Sequence, residues 1–162
     1  MKYILAIALS LCLVGAVSAQ TAPQTFGVAG IAYDAGIIGR VGIATRLFPL
    51  WGGTVFSYSS FDVGHPYNAL TEEGALVYPI PGTRFFGGPL LGISSLWDHP
   101  GSDPVQYMNG TTGLMLAWAA KDPGSDNEWG AVGFVKRKGA LDNGADYFPA
   151  SWSAGMHIWL KL

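Results

Sequence analysis

Ser151-Trp152-Ser153-Ala154-Gly155-Met156-His157-Ile158-Trp159-Leu160-Lys161-Leu162, the end of the chain, decides the fold. Taken alternately, one set reads Trp152, Ala154, Met156, Ile158, Leu160 and Leu162, and the other Ser153, Gly155, His157, Trp159 and Lys161. A period of two marks a strand, because successive side chains point to opposite faces. The first set suits hydrocarbon throughout, and most of the second is small or polar, so this strand separates two media. Several earlier segments have comparable length. The expectation is a sheet closed on itself with its apolar face outward.

The other end of the chain reads differently. Met1-Lys2-Tyr3, the apolar run from Ile4 to Val17, and Val17-Ser18-Ala19 before Gln20 describe a basic start, an apolar core and small residues at a cleavage site. That is the pattern of a secretory signal peptide over 1–19, cut after Ala19, with one domain over 20–162. The apolar run is shorter than the roughly 20 residues of a spanning helix. Cys12, the single cysteine, falls inside it behind Leu11, where a lipoprotein signal would place a small residue. A mature chain without a thiol has neither a disulfide nor a thiolate metal ligand.

Composition bears on the medium. The sequence is 49% hydrophobic and only 12% charged, against about 25% charge in soluble domains. No second apolar run could make a membrane helix, but alternate residues of many strands can face lipid without any helix-length signal. The 23 glycines and the 13% aromatic content fit small side chains in a narrow lumen and rings at two lipid boundaries. A formal net charge of -2 gives no broad basic surface for nucleic acid.

Along the chain, eight candidate strands follow: 25–33, 38–47, 52–61, 72–78, 84–95, 113–121, 128–137 and 151–162. Arg40 and Arg46 share one face of the second and must point inward, because an arginine on the lipid side at mid-membrane costs roughly 2–4 kcal/mol. Pro89 sits within the fifth, where a closed barrel offers no edge to hide a missing amide, so a bulge or different boundaries are expected there. Segments 62–71, 97–112 and 138–150 read as long loops, and the connections after the second, fourth and sixth strands as short turns. Short turns on one side and long loops on the other suit an outer-membrane barrel with its termini on the periplasmic side.

Strand number, loop asymmetry and the alternating terminal strand together resemble the small OmpA/OmpX-type eight-stranded barrels over the whole mature chain. The resemblance implies an all-β fold, an eight-stranded antiparallel up-and-down transmembrane β-barrel, monomeric in the cell outer membrane. Its partners would be outer-membrane lipid, lipopolysaccharide and the outer-membrane assembly machinery, with no cofactor. Those barrels usually end on Phe or Trp, and Leu162 departs from that.

An eight-stranded barrel is just wide enough for side chains to fill it, and charges inside must pair. The expected lumen network is Arg40, Arg46, Lys121, His157 and Lys161, with Arg84, Glu73 and Glu128 as further members. Lys136-Arg137-Lys138, the densest positive cluster, falls where the seventh strand meets a loop and is expected to contact lipopolysaccharide phosphates. For catalysis, lipid A-modifying barrels that use His with Ser offer a comparison, and His65 lies near Ser59, Ser60 and Asp62 while His99 lies near Ser102. The His-x-Ser-Asn arrangement of a deacylase is missing. The three histidines lack metal-ligand spacing, and the carboxylates of 122–128 and 142–146 lack a full calcium-loop pattern. Asn109-Gly110-Thr111 matches a glycosylation acceptor, which the bacterial origin implied by the resemblance makes an accident. The functional expectation is a structural or surface-interaction role. The alternatives are a porin-like transport barrel, a lipid A-modifying enzyme, and a soluble lipocalin-like barrel with its apolar face inward.

Overall fold

Alternation recurs in strand after strand, and the computed structural model, which describes residues 23–34, 36–64, 67–98, 106–120, 128–141 and 151–162, shows what it builds. The strands are β1 (Gln24–Tyr33), β2 (Ile37–Leu50), β3 (Gly53–Gly64), β4 (Tyr67–Pro79), β5 (Phe85–Asp98), β6 (Gln106–Ala119), β7 (Trp129–Ala140) and β8 (Ser151–Lys161). Each pairs antiparallel with its neighbours in sequence, and β8 pairs back onto β1, closing the barrel. Closure leaves no unpaired edge.

The strands are staggered. From Val28, the ladder runs through Gly42, Ser60, Thr71, Ser94 and Asn109 to Ala140. It thus climbs from the middle of β1 to the end of β7, the shear that accompanies strand tilt in a barrel. One end of the cylinder carries the start of β1, the end of β8 and the β2–β3, β4–β5 and β6–β7 connections. The opposite end carries the other four.

Outward residues are apolar. On β8, Trp152, Met156, Ile158 and Leu160 are all more than half exposed, and Ile31, Val41, Leu91, Leu114 and Val135 extend this surface around the wall. A soluble barrel would have these buried. Outward aromatic rings gather toward the two ends, with Tyr33 and Trp152 at one and Trp51, Phe85 and Trp129 at the other. Trp129 meets Trp118 edge-on at 5.6 Å. Glu72 breaks the pattern: it faces outward on β4, accepts a hydrogen bond from Ser59 Oγ at 2.7 Å, and sits beside Ile93.

Inward glycines let the wall curl. A Cβ on Gly113 would lie 2.3 Å from the Val135 carbonyl oxygen and 2.6 Å from Lys136 Cβ, and one on Gly92 would lie 2.6 Å from Glu73 Cγ. These two positions leave the room that a lysine and a glutamate occupy inside the barrel. The β2–β3 hairpin turns on Trp51 and Gly52, with φ of 50° and 82°, as a primed two-residue turn requires.

Several sequence expectations are corrected. Segment 62–71 is not a loop: Asp62 to Gly64 end β3 and Tyr67 begins β4, leaving only 65–66 between them. Much of 97–112 is also strand, and β2 runs on to Leu50. Loop length therefore does not alternate as expected, because β6 and β7 are separated by 120–128 on the supposedly short side. The bulge lies in β2, between Arg46 and Phe48. At Pro89 the β4–β5 register is unbroken: pairing skips Leu76 and Val77 opposite Gly88 and Pro89 and resumes in step.

Candidate functional site: a divided lumen

The lumen has two halves of opposite chemistry. In the half away from the termini, Arg40 on β2 meets Asp62 on β3 through two parallel bonds, Nε to Oδ1 at 2.6 Å and Nη2 to Oδ2 at 2.5 Å. This bidentate fork is the strongest geometry a guanidinium offers a carboxylate. Thr71 Oγ1 lies 3.4 Å from Asp62 Oδ2 and 3.0 Å from Ser94 Oγ, extending the network across β4 and β5. Lys136 on β7 donates to Glu73 Oε1 on β4 at 2.5 Å, and Thr111 donates to the same oxygen at 3.2 Å. Arg40 Nη1 stands 3.9 Å from Glu73 Oε2, so the two pairs touch.

Above them, Lys138 Nζ meets Asp34 Oδ2 at 2.5 Å and Tyr67 Oη at 2.7 Å. Tyr67 also donates to Asp34, and Ser151 Oγ donates to Asp34 Oδ1 at 2.9 Å. Asp34 lies beyond the end of β1. Its burial acts to raise the carboxyl's pKa, but the Lys138 ammonium and the bonds from Lys138, Tyr67 and Ser151 outweigh burial and hold it below the ordinary carboxylate value.

Phe134 forms the floor of this charged half. Arg40 Cζ and Lys136 Nζ lie 5.1 and 5.0 Å from its ring centroid, within cation–π reach. His157 packs on Phe134 at 4.8 Å and faces Tyr58 at 6.1 Å. Neither of its ring nitrogens has a hydrogen-bond partner among the described residues.

Below the floor the lumen turns apolar and opens into a chamber of about 280 Å3 at the end of the barrel that carries the termini. Its wall includes Phe26, Phe56, Val77, Phe86, Met115 and Trp159. Gln24, Arg46, Thr54 and Glu128 bring polar groups to it.

The residues singled out in the sequence are distributed as follows. Arg40 is in the charged half, and Glu73 is with it. Arg46 is at the chamber mouth, its Nη1 3.4 Å from Gln24 Oε1. His157 is at the floor, and Lys161 lies on the inward set of β8 near the termini, its backbone N–H on the Glu128 carbonyl at 2.9 Å. Arg84 is outside the lumen, in the β4–β5 turn, bonding the Ala120 carbonyl at 2.7 Å. Lys121, His65, His99 and the stretches 1–19, 122–127 and 142–146 lie outside the described residues.

The basic cluster needs correction, since neighbours on a strand point to opposite faces. Lys136 and Lys138 are buried inside, out of reach of any lipid headgroup, and only Arg137 faces outward. Asn109 is likewise buried in the lumen, and Thr111 bonds Glu73. No three His, Cys, Asp or Glu side chains cluster as a metal site among the described residues. Sequence reasoning missed Asp34, Asp62 and Tyr67, whose positions read as turn and loop. The usable signal was Arg40 itself, which demands an acid at a paired position on the neighbouring strand.

The structure is similar to the N-terminal β-barrel domain of OprF from Pseudomonas aeruginosa, with TM-score 0.60 and 12% identity over 86% of this chain and 97% of that one. It is also similar to a de novo designed protein, TMB2.3, with TM-score 0.50 and 12% identity over 88% of this chain and 98% of the other. No known protein family matches the sequence, and no curated protein matches it. At this identity the likeness is one of fold. The fold is that of the small eight-stranded transmembrane barrels.

Proposed function

We propose that this chain is an integral protein of a bacterial outer membrane, exported through a signal peptide over 1–19, with a plugged lumen and a structural or surface-interaction role. The observation that carries this reading is the inversion of polarity across the wall. Outward Ile, Leu, Val and Met form an apolar surface around the wall, interrupted at Glu72, while Arg40, Asp62, Glu73 and Lys136 are buried inside as ion pairs. Such a surface in water would drive association, and in a bilayer it is the lipid-facing band.

The same ion pairs favour a structural role over transport. An ion crossing the lumen would have to displace three buried ion pairs, Arg40–Asp62, Lys136–Glu73 and Lys138–Asp34, and then pass Phe134 into an apolar chamber. The termini would face the periplasm, and the outward Arg137 would be the member of its basic cluster to meet a lipopolysaccharide phosphate. Assembly would run through the outer-membrane assembly machinery reading β8.

Fractionation after expression tests the location, with gel migration compared before and after heating. The expected outcome is recovery in the outer-membrane fraction, insolubility without detergent and a mobility shift on heating. A monodisperse chain in plain buffer would overturn the reading. In planar bilayers the folded protein should give no unitary conductance steps, and reproducible steps would reinstate the channel alternative.

A further inference from the structure

A barrel of eight strands ordinarily has just enough interior for its side chains to fill, and protein interiors close-pack. The half of this lumen near the termini does neither. Ala44, Ala117 and Ala119 stand on its wall where larger residues would close it. What is left is a space of about 280 Å3, well above the roughly 150 Å3 of an engineered apolar cavity that stays dry and takes up benzene. Its inner end is at Tyr58, Met115 and Val132, beyond which only a cavity of about 10 Å3 separates it from Phe134 and His157, so its shape suits one chain entering from the mouth.

The mouth supplies the second observation. Glu128 is only 3% exposed, lines the chamber, and its Oε1 has no hydrogen-bond partner among the described residues. A buried acceptor without a donor is costly, and a ligand N–H or O–H would relieve it. Across the same mouth, Arg46 makes, among the described residues, the long 3.4 Å contact to Gln24, which leaves guanidinium donors for an anion. A carboxylate and a guanidinium sharing the entrance to an apolar well match a head that carries both signs on a single alkyl tail.

We propose that the chamber binds one single-chain zwitterionic amphiphile, an amine-headed lysophospholipid. Its tail fills the well up to Tyr58 and Met115, its phosphate accepts from Arg46, and its ammonium donates to Glu128. The proposal rests on the membrane reading only for the supply of such a lipid.

Native mass spectrometry of the folded protein tests it, in a detergent whose rigid steroidal tail is too wide for the well. The probes are lauroyl lysophosphatidylethanolamine and lauroyl lysophosphatidic acid, which share tail and phosphate and differ in the amine. The expected result is one bound molecule, with the amine head preferred about tenfold, a difference of about 1.4 kcal/mol. Glu128→Gln should bring the two heads to near parity. Ala117→Phe fills the well and should weaken both by about tenfold or more, and Ala44→Leu, on another strand, gives an independent check if Ala117→Phe does not give the heat-shifted folded band.

Binding unchanged by both filling variants would place the lipid on the outer wall and overturn the proposal. Absence of any adduct on the wild-type chain would overturn it too. These failures are distinct from that of the membrane reading, which shows as solubility without detergent.

Discussion

Lys136 has no exposed surface, and its position inside the barrel is tolerable only because Glu73 is 2.5 Å away. Removing one partner of such a pair strands the other. Lys136→Met should therefore cost about 3–5 kcal/mol in denaturant unfolding from vesicles. The double variant Lys136→Met with Glu73→Leu should recover most of that loss, since apolar replacement of a whole buried pair is often neutral. Asp34 carries a pH signature. Its folded pKa is depressed, so its contribution to stability is present above the ordinary carboxylate value and is lost as pH falls through the lower folded value. Asp34→Asn should flatten that acid limb in unfolding midpoints measured from neutral pH downward, while lowering stability at neutral pH. Glu72 sits outside among Leu70, Ile93 and Phe61 with Ser59 for company, and Glu72→Leu should stabilise the protein in lipid, by less than the roughly 2–4 kcal/mol of a basic residue at mid-bilayer. Arg40 announced its place in the sequence, because a guanidinium on an apolar-faced strand must turn inward. Asp34, Asp62 and Lys136 did not, because a charged residue near a Gly or Pro reads as solvated until its cross-strand partner is known.

The strands were legible where their two faces differ, as in β8 and β2, and illegible where both faces hold small or polar residues. Gly64, Pro66 and Asn68 carry turn chemistry, yet β3 runs to Gly64 and β4 begins at Tyr67. The reason is tertiary: Asp62 and Thr71 are held in the sheet by a shared hydrogen-bonded cluster that no local pattern displays. Pro89 drew attention to a real break in the β4–β5 ladder but not to its form, since the register continues beyond it. Inward glycines were visible as composition, not as positions. Gly113→Ala should destabilise the fold, because its Cβ would stand 2.3 Å from a backbone oxygen that cannot step aside. The loss should exceed the roughly 1 kcal/mol at which ordinary substitutions centre. Gly133→Ala, on an outward position with only a 3.9 Å neighbour, serves as the control in the same denaturation series.

For the molecule as a whole, the wall polarity sets a depth-dependent response. Lysine placed in turn at Trp152, Met156 and Ile158 along the outward face of β8, and at Leu162 just past its end, should cost about 2–4 kcal/mol at the two central positions and about 0–1 near the ends, read by refolding into vesicles. A flat profile would mean that no hydrocarbon surrounds the cylinder. The ion pairs that fill the upper lumen also constrain how the cylinder is made. Lys136 and Lys138 on β7 find their acids on β4 and next to β1, far back along the chain. A β-hairpin carrying these lysines could not slip alone through oil, because its charges would travel naked. The strands from β1 to β7 must instead curl together beforehand, so that the lysines enter the bilayer already neutralised, with β8 left to seal the seam.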